Sequence, residues 1–141
     1  ITAMSGETNL NRLLSTLSPT LLDETFVFCT LPESSYGTFT ELYPKAFIME
    51  SEGLSLVVEK TIADSHGLKY NGEFSCISLD VHSSLEAIGL TAVISGVLAA
   101  HEISVNIIAG YHHDHLFVPI ANAPLAMDLL HNLDHLDKSK S

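Results

Sequence analysis

Along the second half of the chain the apolar positions switch repeatedly between two periods. Residues 74–82, FSCISLDVH, set Ile77, Leu79 and Val81 against Ser78, Asp80 and His82, the alternation of a strand with one buried face. From Gly89 the period turns helical: Leu90, Val93, Ile94, Val97 and Leu98 fall on one face, with the small residues Ala92, Gly96 and Ala99 beside them. ISVNIIA (103–109) reads as a strand again, with Ile103, Val105 and Ile107 on one side, and HLFVPI (115–120) as its partner across a histidine-rich turn. Asn122 stands where it would cap a last helix, with Pro124 in the first turn. Ala126, Leu129, Leu130 and Leu133 supply that helix's apolar stripe. The predicted order is β-α-β-β-α.

The first half echoes this order. LSLVVEKTIAD (54–64) matches HLFVPIANAP (115–124) as a strand running into a helix, and YPKAFIM (43–49) matches ISVNIIA. The turn at Glu52-Gly53 then corresponds to the one at His112-His113. Upstream, TFVFCTL (25–31) parallels CISLDVH, and each is followed by a serine pair, Ser34-Ser35 and Ser83-Ser84. Thr61 and Asp64 have the spacing of a capping box, and Gly67 ends a short helix. YGTFTELY is a weak counterpart of the first helix, and Leu10, Leu13, Leu14 and Leu17 predict an additional helix ahead of it all. KYNGE (69–73), with its Asn-Gly turn, reads as the linker.

Two degenerate copies of one unit follow from this: residues 1–70, with the extra leading helix, and residues 71–141. The expected class is α+β, with tandem βαββα repeats of ferredoxin-like type and helices on one face of an antiparallel sheet. No fourth strand is visible in either repeat. The sheet edges therefore need cover from the other repeat or from a second copy.

Composition narrows the function. The 141 residues carry 17 acidic against six basic side chains, for a net charge of −11. Such a surface repels phosphate backbones and anionic lipid, which argues against nucleic-acid and membrane partners. The apolar run 87–100 is too short to span a bilayer. Cys29 and Cys76 lie in apolar stretches and read as buried thiols in a reducing compartment. With no charged-then-apolar leader in view, the expected location is the cytoplasm.

The most conspicuous chemistry is His112, His113, Asp114 and His115. Imidazole and carboxylate are ordinary ligands of first-row metals. Strand alternation would send His113 and His115 one way and His112 and Asp114 the other, although a turn can break that rule and leave a two- or three-ligand site open. Exposed hairpin tips are polar without special purpose, and no second cluster completes a tetrahedron, so the expectation is a hairpin with no metal. Asp128, His131 and His135 read as a solvated helical stripe. HEISV (101–105) has Val105 where a zinc-protease motif needs its second histidine, and Ser95 in VISGV lacks the leading glycine of a nucleophile elbow. Phosphate-loop and dinucleotide glycine patterns are missing, and the proximity of Asp80, His82 and Ser83 in sequence does not make a triad. The expectation is no catalytic residue and no cofactor.

Residues 79–119, LDVHSSLEAIGLTAVISGVLAAHEISVNIIAGYHHDHLFVP, resemble an ACT domain, a small ligand-sensing module found beside enzymes of amino-acid metabolism. The whole chain resembles small stand-alone proteins made of two ACT-like repeats, whose role is generally unassigned. The resemblance implies a regulatory ligand where the first strand's loop meets the first helix, at an interface between two ACT units. Here that means His82, Ser83, Ser84, Glu86, Gly89 and Leu90, with Asn106 matching the family's asparagine in I-x-V-N. A helix N-terminus offers unpaired N–H groups to a carboxylate, which matters in a chain with so few cations. Asp80, Glu86, strand carbonyls or Asn106 would receive the ammonium. The implied protein is a non-enzymatic amino-acid sensor, a homo-oligomer (dimer), acting through an unidentified protein partner or through its own assembly. The rival readings are a ligand-free structural or accessory protein and, behind it, a histidine-dependent metal enzyme.

Overall fold

The computed structural model describes residues 10–32, 37, 39–80 and 89–133. They form two compact units, one of residues 23–75 and one joining the described residues through Leu22 to those from Cys76 onward. The leading segment is thus grouped with the C-terminal half.

In the unit 23–75, strands β1 (Pro19–Leu31, which begins in the other unit), β2 (Ala46–Glu50) and β3 (Gly53–Glu59) lie in the order β2-β3-β1. Both pairings are antiparallel, with Glu50 opposite Gly53 and Cys29 opposite Leu56. Leu54, Leu56 and Val58 alternate onto one face and bury with Val27, Cys29, Phe39, Leu42 and Ala63. The weak YGTFTELY segment gives a single 3-10 turn, Thr40–Leu42, whose Leu42 joins this core. Helix α1 is Leu10–Ser15 and α2 is Lys60–Ser65.

The expected capping box of α2 is not formed. The helix begins two residues earlier than such a box requires, at Lys60, so Thr61 lies inside it, and Glu59 at the N-cap makes no side-chain cap. Asp64 instead accepts from Lys60 Nζ at 2.9 Å and Tyr70 Oη at 2.7 Å. At the other end the reading of Gly67 is right: its N–H donates to Asp64 O and that of Leu68 to Ala63 O, closing the helix with the paired bonds of a Schellman motif.

The second unit contains β4 (Phe74–Leu79, from Cys76), α3 (Leu90–Ala100), β5 (Asn106–Ala109), β6 (Asp114–Pro119) and α4 (Ala123–His131). Its strands run β4-β6-β5, and the opening residues of β1 flank β4 on the other side, where Asp80 N–H donates to Ser18 O. The fourth strand that the repeat pattern lacked is thus brought from the far end of the chain. Ile77, Leu79, Leu116 and Val118 form the sheet's contribution to a core closed by Leu90, Ile94 and Leu98 of α3 and Ala126 and Leu130 of α4. This is the antiparallel, ferredoxin-like α+β arrangement, and two helices share one face of it.

Two local expectations fail here for physical reasons. β5 starts at Asn106, not Ile103, because α3 also ends in a Schellman closure: Ile103 N–H donates to Leu98 O and Glu102 N–H to Ala99 O, both at 2.9 Å. Ile103, 2% exposed, is the apolar residue that such a closure tucks against the helix, and Glu102 takes the left-handed conformation (φ 60°). Asn122 does not cap α4 with its side chain, because a 3-10 turn, Ile120–Asn122, leads directly into the helix. No helix of the described residues is long and apolar enough to cross a membrane.

Candidate functional site

Of the expected ligand site, the described residues contain the N-terminal end of α3 and Asn106. Gly89 is the N-cap, with φ 95° and ψ −17°, a left-handed conformation that a side chain would resist, and its C=O accepts the Val93 N–H at 2.9 Å. Having no side chain, it brings no capping oxygen to the first-turn amides. Leu90 is buried at 4% exposure in the core of the unit, so it offers a ligand backbone only. Leu10 of α1 packs against the same core and lies so near that a Cβ at position 89 would stand 3.3 Å from its Cδ2. His82, Ser83, Ser84 and Glu86 lie outside the described residues.

Asn106 is exposed, opposite Phe117 at the start of β5, and follows the other end of α3. An eleven-residue helix is about 16 Å long. Gly89 and Leu90 thus stand at one end of α3, and Asn106 opens the strand that follows its other end.

The histidine-rich tip is a hairpin, closed by Gly110 N–H donating to His113 O at 2.9 Å, with Ala109 opposite Asp114. Tyr111 and His112 stack edge-on at 5.0 Å, and the rings of His113 and His115 are 6.4 Å apart. Among the described residues no three His, Cys, Asp or Glu side chains converge as a metal site would require. The structure adds one contact that sequence reading missed. His113 Nδ1 lies 3.6 Å from Asp80 Oδ1, an exposed pair joining the tip to the end of β4. Antiparallel register creates it, and no local spacing announces it. Burial pushes the carboxyl of Asp114 above its ordinary pKa, with His115 pulling the other way.

Other reactive groups are occupied or enclosed. Ser95 Oγ donates to Thr91 O at 2.8 Å, within its own helix. Cys29 and Cys76 are buried and form no disulfide, and burial raises the Cys29 thiol pKa, which disfavours the nucleophilic thiolate. Asp128 and His131 are exposed on α4 as the stripe reading expected, and His135 lies outside the described residues.

Comparison with known proteins agrees with this geometry. One ACT-domain family profile matches residues 5–75 and another matches residues 71–132. No curated protein matches the chain. A solved structure of a Vibrio cholerae protein of unknown function, described as a possible transport protein, is 43% identical over 89% of this chain and 95% of its own, with a TM-score of 0.81. The ligand-free regulatory subunit of aspartate kinase from Thermus thermophilus shares the fold at 11% identity, over 83% of this chain and 95% of its own, with a TM-score of 0.58. E. coli aspartokinase III, solved with aspartate and ADP, does so at 14% identity over 86% of this chain and 33% of its own, with a TM-score of 0.59. With one half of the sequence matched by each profile and the ferredoxin-like sheet in place, the chain belongs to the ACT domain family and carries two such domains in tandem.

Proposed function

We propose that this protein is a non-enzymatic regulatory ACT protein of the cytoplasm that binds a free amino acid or a related metabolite. The observation that carries the reading is the pair of ACT matches, which between them leave little of the chain for another kind of domain. The ligand carboxylate is received by the first-turn amides of α3, from Gly89 and Leu90, with hydroxyl help from Ser83 and Ser84. Its ammonium is received by Asp80, Glu86 or Asn106. A ligand so held lies at an interface between two ACT units, as the resemblance implies. With two cysteines buried in the core and no disulfide between them, a reducing compartment suits the fold.

Regulation requires unequal affinity for two states, typically about 1–3 kcal/mol of coupling. The output is a protein partner or a change in assembly. A thermal-shift screen of free amino acids tests the reading: at a hundredfold excess over Kd, one bound ligand adds about 2.7 kcal/mol to stability, a shift of several degrees. If none shifts the midpoint at millimolar concentration, the reading is wrong. A ligand-free accessory role is the second reading, and Leu10 is what favours it, because its side chain narrows the approach to Gly89. That role predicts no shift and co-purification with one specific protein.

A further inference from the structure

The connection from α2 to β4 contains Asn71-Gly72, and both residues are exposed. Gly72 takes a left-handed backbone (φ 80°), the conformation that an Asn-Gly turn asks of its glycine. The residues on either side are anchored. Tyr70 packs against the core of residues 23–75, and its hydroxyl donates to Asp64 at 2.7 Å. The ring of Phe74 meets that of Phe28 edge-on at 5.3 Å. Between these anchors, no backbone hydrogen bond among the described residues engages the Gly72 N–H, and the Asn71 amide has no partner among them.

An asparagine so placed reacts with its own main chain. Gly72 N gives up its proton and bonds to Asn71 Cγ, the Cγ–Nδ2 bond breaks, and ammonia leaves with that proton, closing a five-membered succinimide. Water then opens the ring. Cleavage at Cγ leaves aspartate, and cleavage at the main-chain carbonyl leaves isoaspartate, whose backbone runs through Cβ. No oxidant or enzyme is needed. Ring closure requires the nitrogen to reach Cγ, which a side chain on the following residue obstructs and glycine does not. Every other asparagine of the chain precedes a residue that has a side chain. Structure restrains three of these further: Asn106 lies in β5, Asn122 lies in a 3-10 turn, and Asn132 Nδ2 donates to Asp128 O at 2.7 Å.

We infer that Asn71 is a site of spontaneous covalent modification, at which the chain converts to aspartate and isoaspartate with loss of ammonia. Each event adds one negative charge to a chain that starts at −11. The isoaspartate form also lengthens the backbone by one carbon, which residues 71–73 have to absorb because Tyr70 and Phe74 are anchored. The inference stands apart from ligand binding and fails or survives without it.

The test is incubation of the full chain in mildly alkaline buffer, with its proteolytic peptides followed by mass spectrometry over time. The peptide containing Asn71 takes on the mass change of amide to acid at least about tenfold faster than those containing Asn106, Asn122 or Asn132. Fragmentation that separates the two isomers finds isoaspartate in it, and the intact protein shifts to later elution on anion exchange in step. In Asn71→Gln, where closure needs a six-membered ring, that shift slows by about tenfold or more. Circular dichroism establishes that the variant is folded; should it not fold, the comparison between sites in the wild type decides. Conversion at Asn71 no faster than at the other three, a product free of isoaspartate, or an elution shift undiminished in folded Asn71→Gln overturns the proposal.

Discussion

Replacing Gly53 with alanine tests how tightly the β2–β3 hairpin is bound to its neighbour. Gly53 has φ +142°, a conformation open essentially to glycine alone, and holding another residue there costs about 1–3 kcal/mol. The added Cβ would also stand 2.6 Å from Pro32 Cα and 2.9 Å from Pro32 O. Both are backbone atoms at the end of β1, so no flexible side chain can swing clear. Forcing a carbon into such a contact costs about another 1–3 kcal/mol. The expected loss is roughly 3–4 kcal/mol from a total that for most domains is about 5–15 kcal/mol. Urea unfolding followed by far-UV circular dichroism reads it, because the chain has no tryptophan. With a slope near 2 kcal/mol/M, the midpoint of the transition that includes residues 23–75 falls by about 1.5–2 M. A midpoint within about 0.3 M of wild type would refute the reasoning, since it would mean that the hairpin relaxes away from Pro32 at little cost.

Three further outcomes follow from the same structure. Gly96→Ala, in the interior of α3 with nothing within 4 Å of the added carbon, stabilises the protein by about 0.5–1 kcal/mol in the same urea assay. Leu98→Ala on that helix removes a side chain with 0% exposure from the centre of the core and costs about 2–5 kcal/mol. Asp114→Asn depends on pH. Burial raises the folded carboxyl pKa above its unfolded value, so the native state holds that proton more tightly. Stability is therefore lost as pH rises from the unfolded to the folded pKa, and the penalty is complete above both. The asparagine variant accordingly melts higher than wild type at pH 7, and the difference closes as pH falls below about 3.9.

Much of the fold was legible because burial on one face writes a period into the sequence. Leu90, Ile94 and Leu98 were placed correctly by helical spacing, and all three are core residues. Leu54, Leu56 and Val58 were legible through alternation in the same way. What escaped had its cause far away in the chain. The first residues of β1, Pro-Thr-Leu-Leu-Asp-Glu, show neither period, because what makes them a strand is β4, more than fifty residues downstream. Ile103 looked like a strand residue because it is apolar and spaced by two from Val105, but it is buried as the seal of a helix end.

The site was less legible than the fold. The helix entry at Gly89 was legible, and there the residue is the N-cap of α3 with a left-handed backbone. The approach of Leu10 to Gly89 was hidden for the same reason as the Asp80–His113 contact: each depends on chain segments brought together only by the completed sheet.

In the proposed function a carboxylate ligand is received by the backbone at the start of α3. Titrating the 15N-labelled protein with an equimolar mixture of the twenty amino acids, while following each amide resonance, tests it most directly. Saturable shifts are expected at Gly89, Leu90 and Thr91, and they vanish when the amino acids are supplied as carboxamides. Amides at 89–91 that stay fixed while every amino acid reaches millimolar concentration would contradict it.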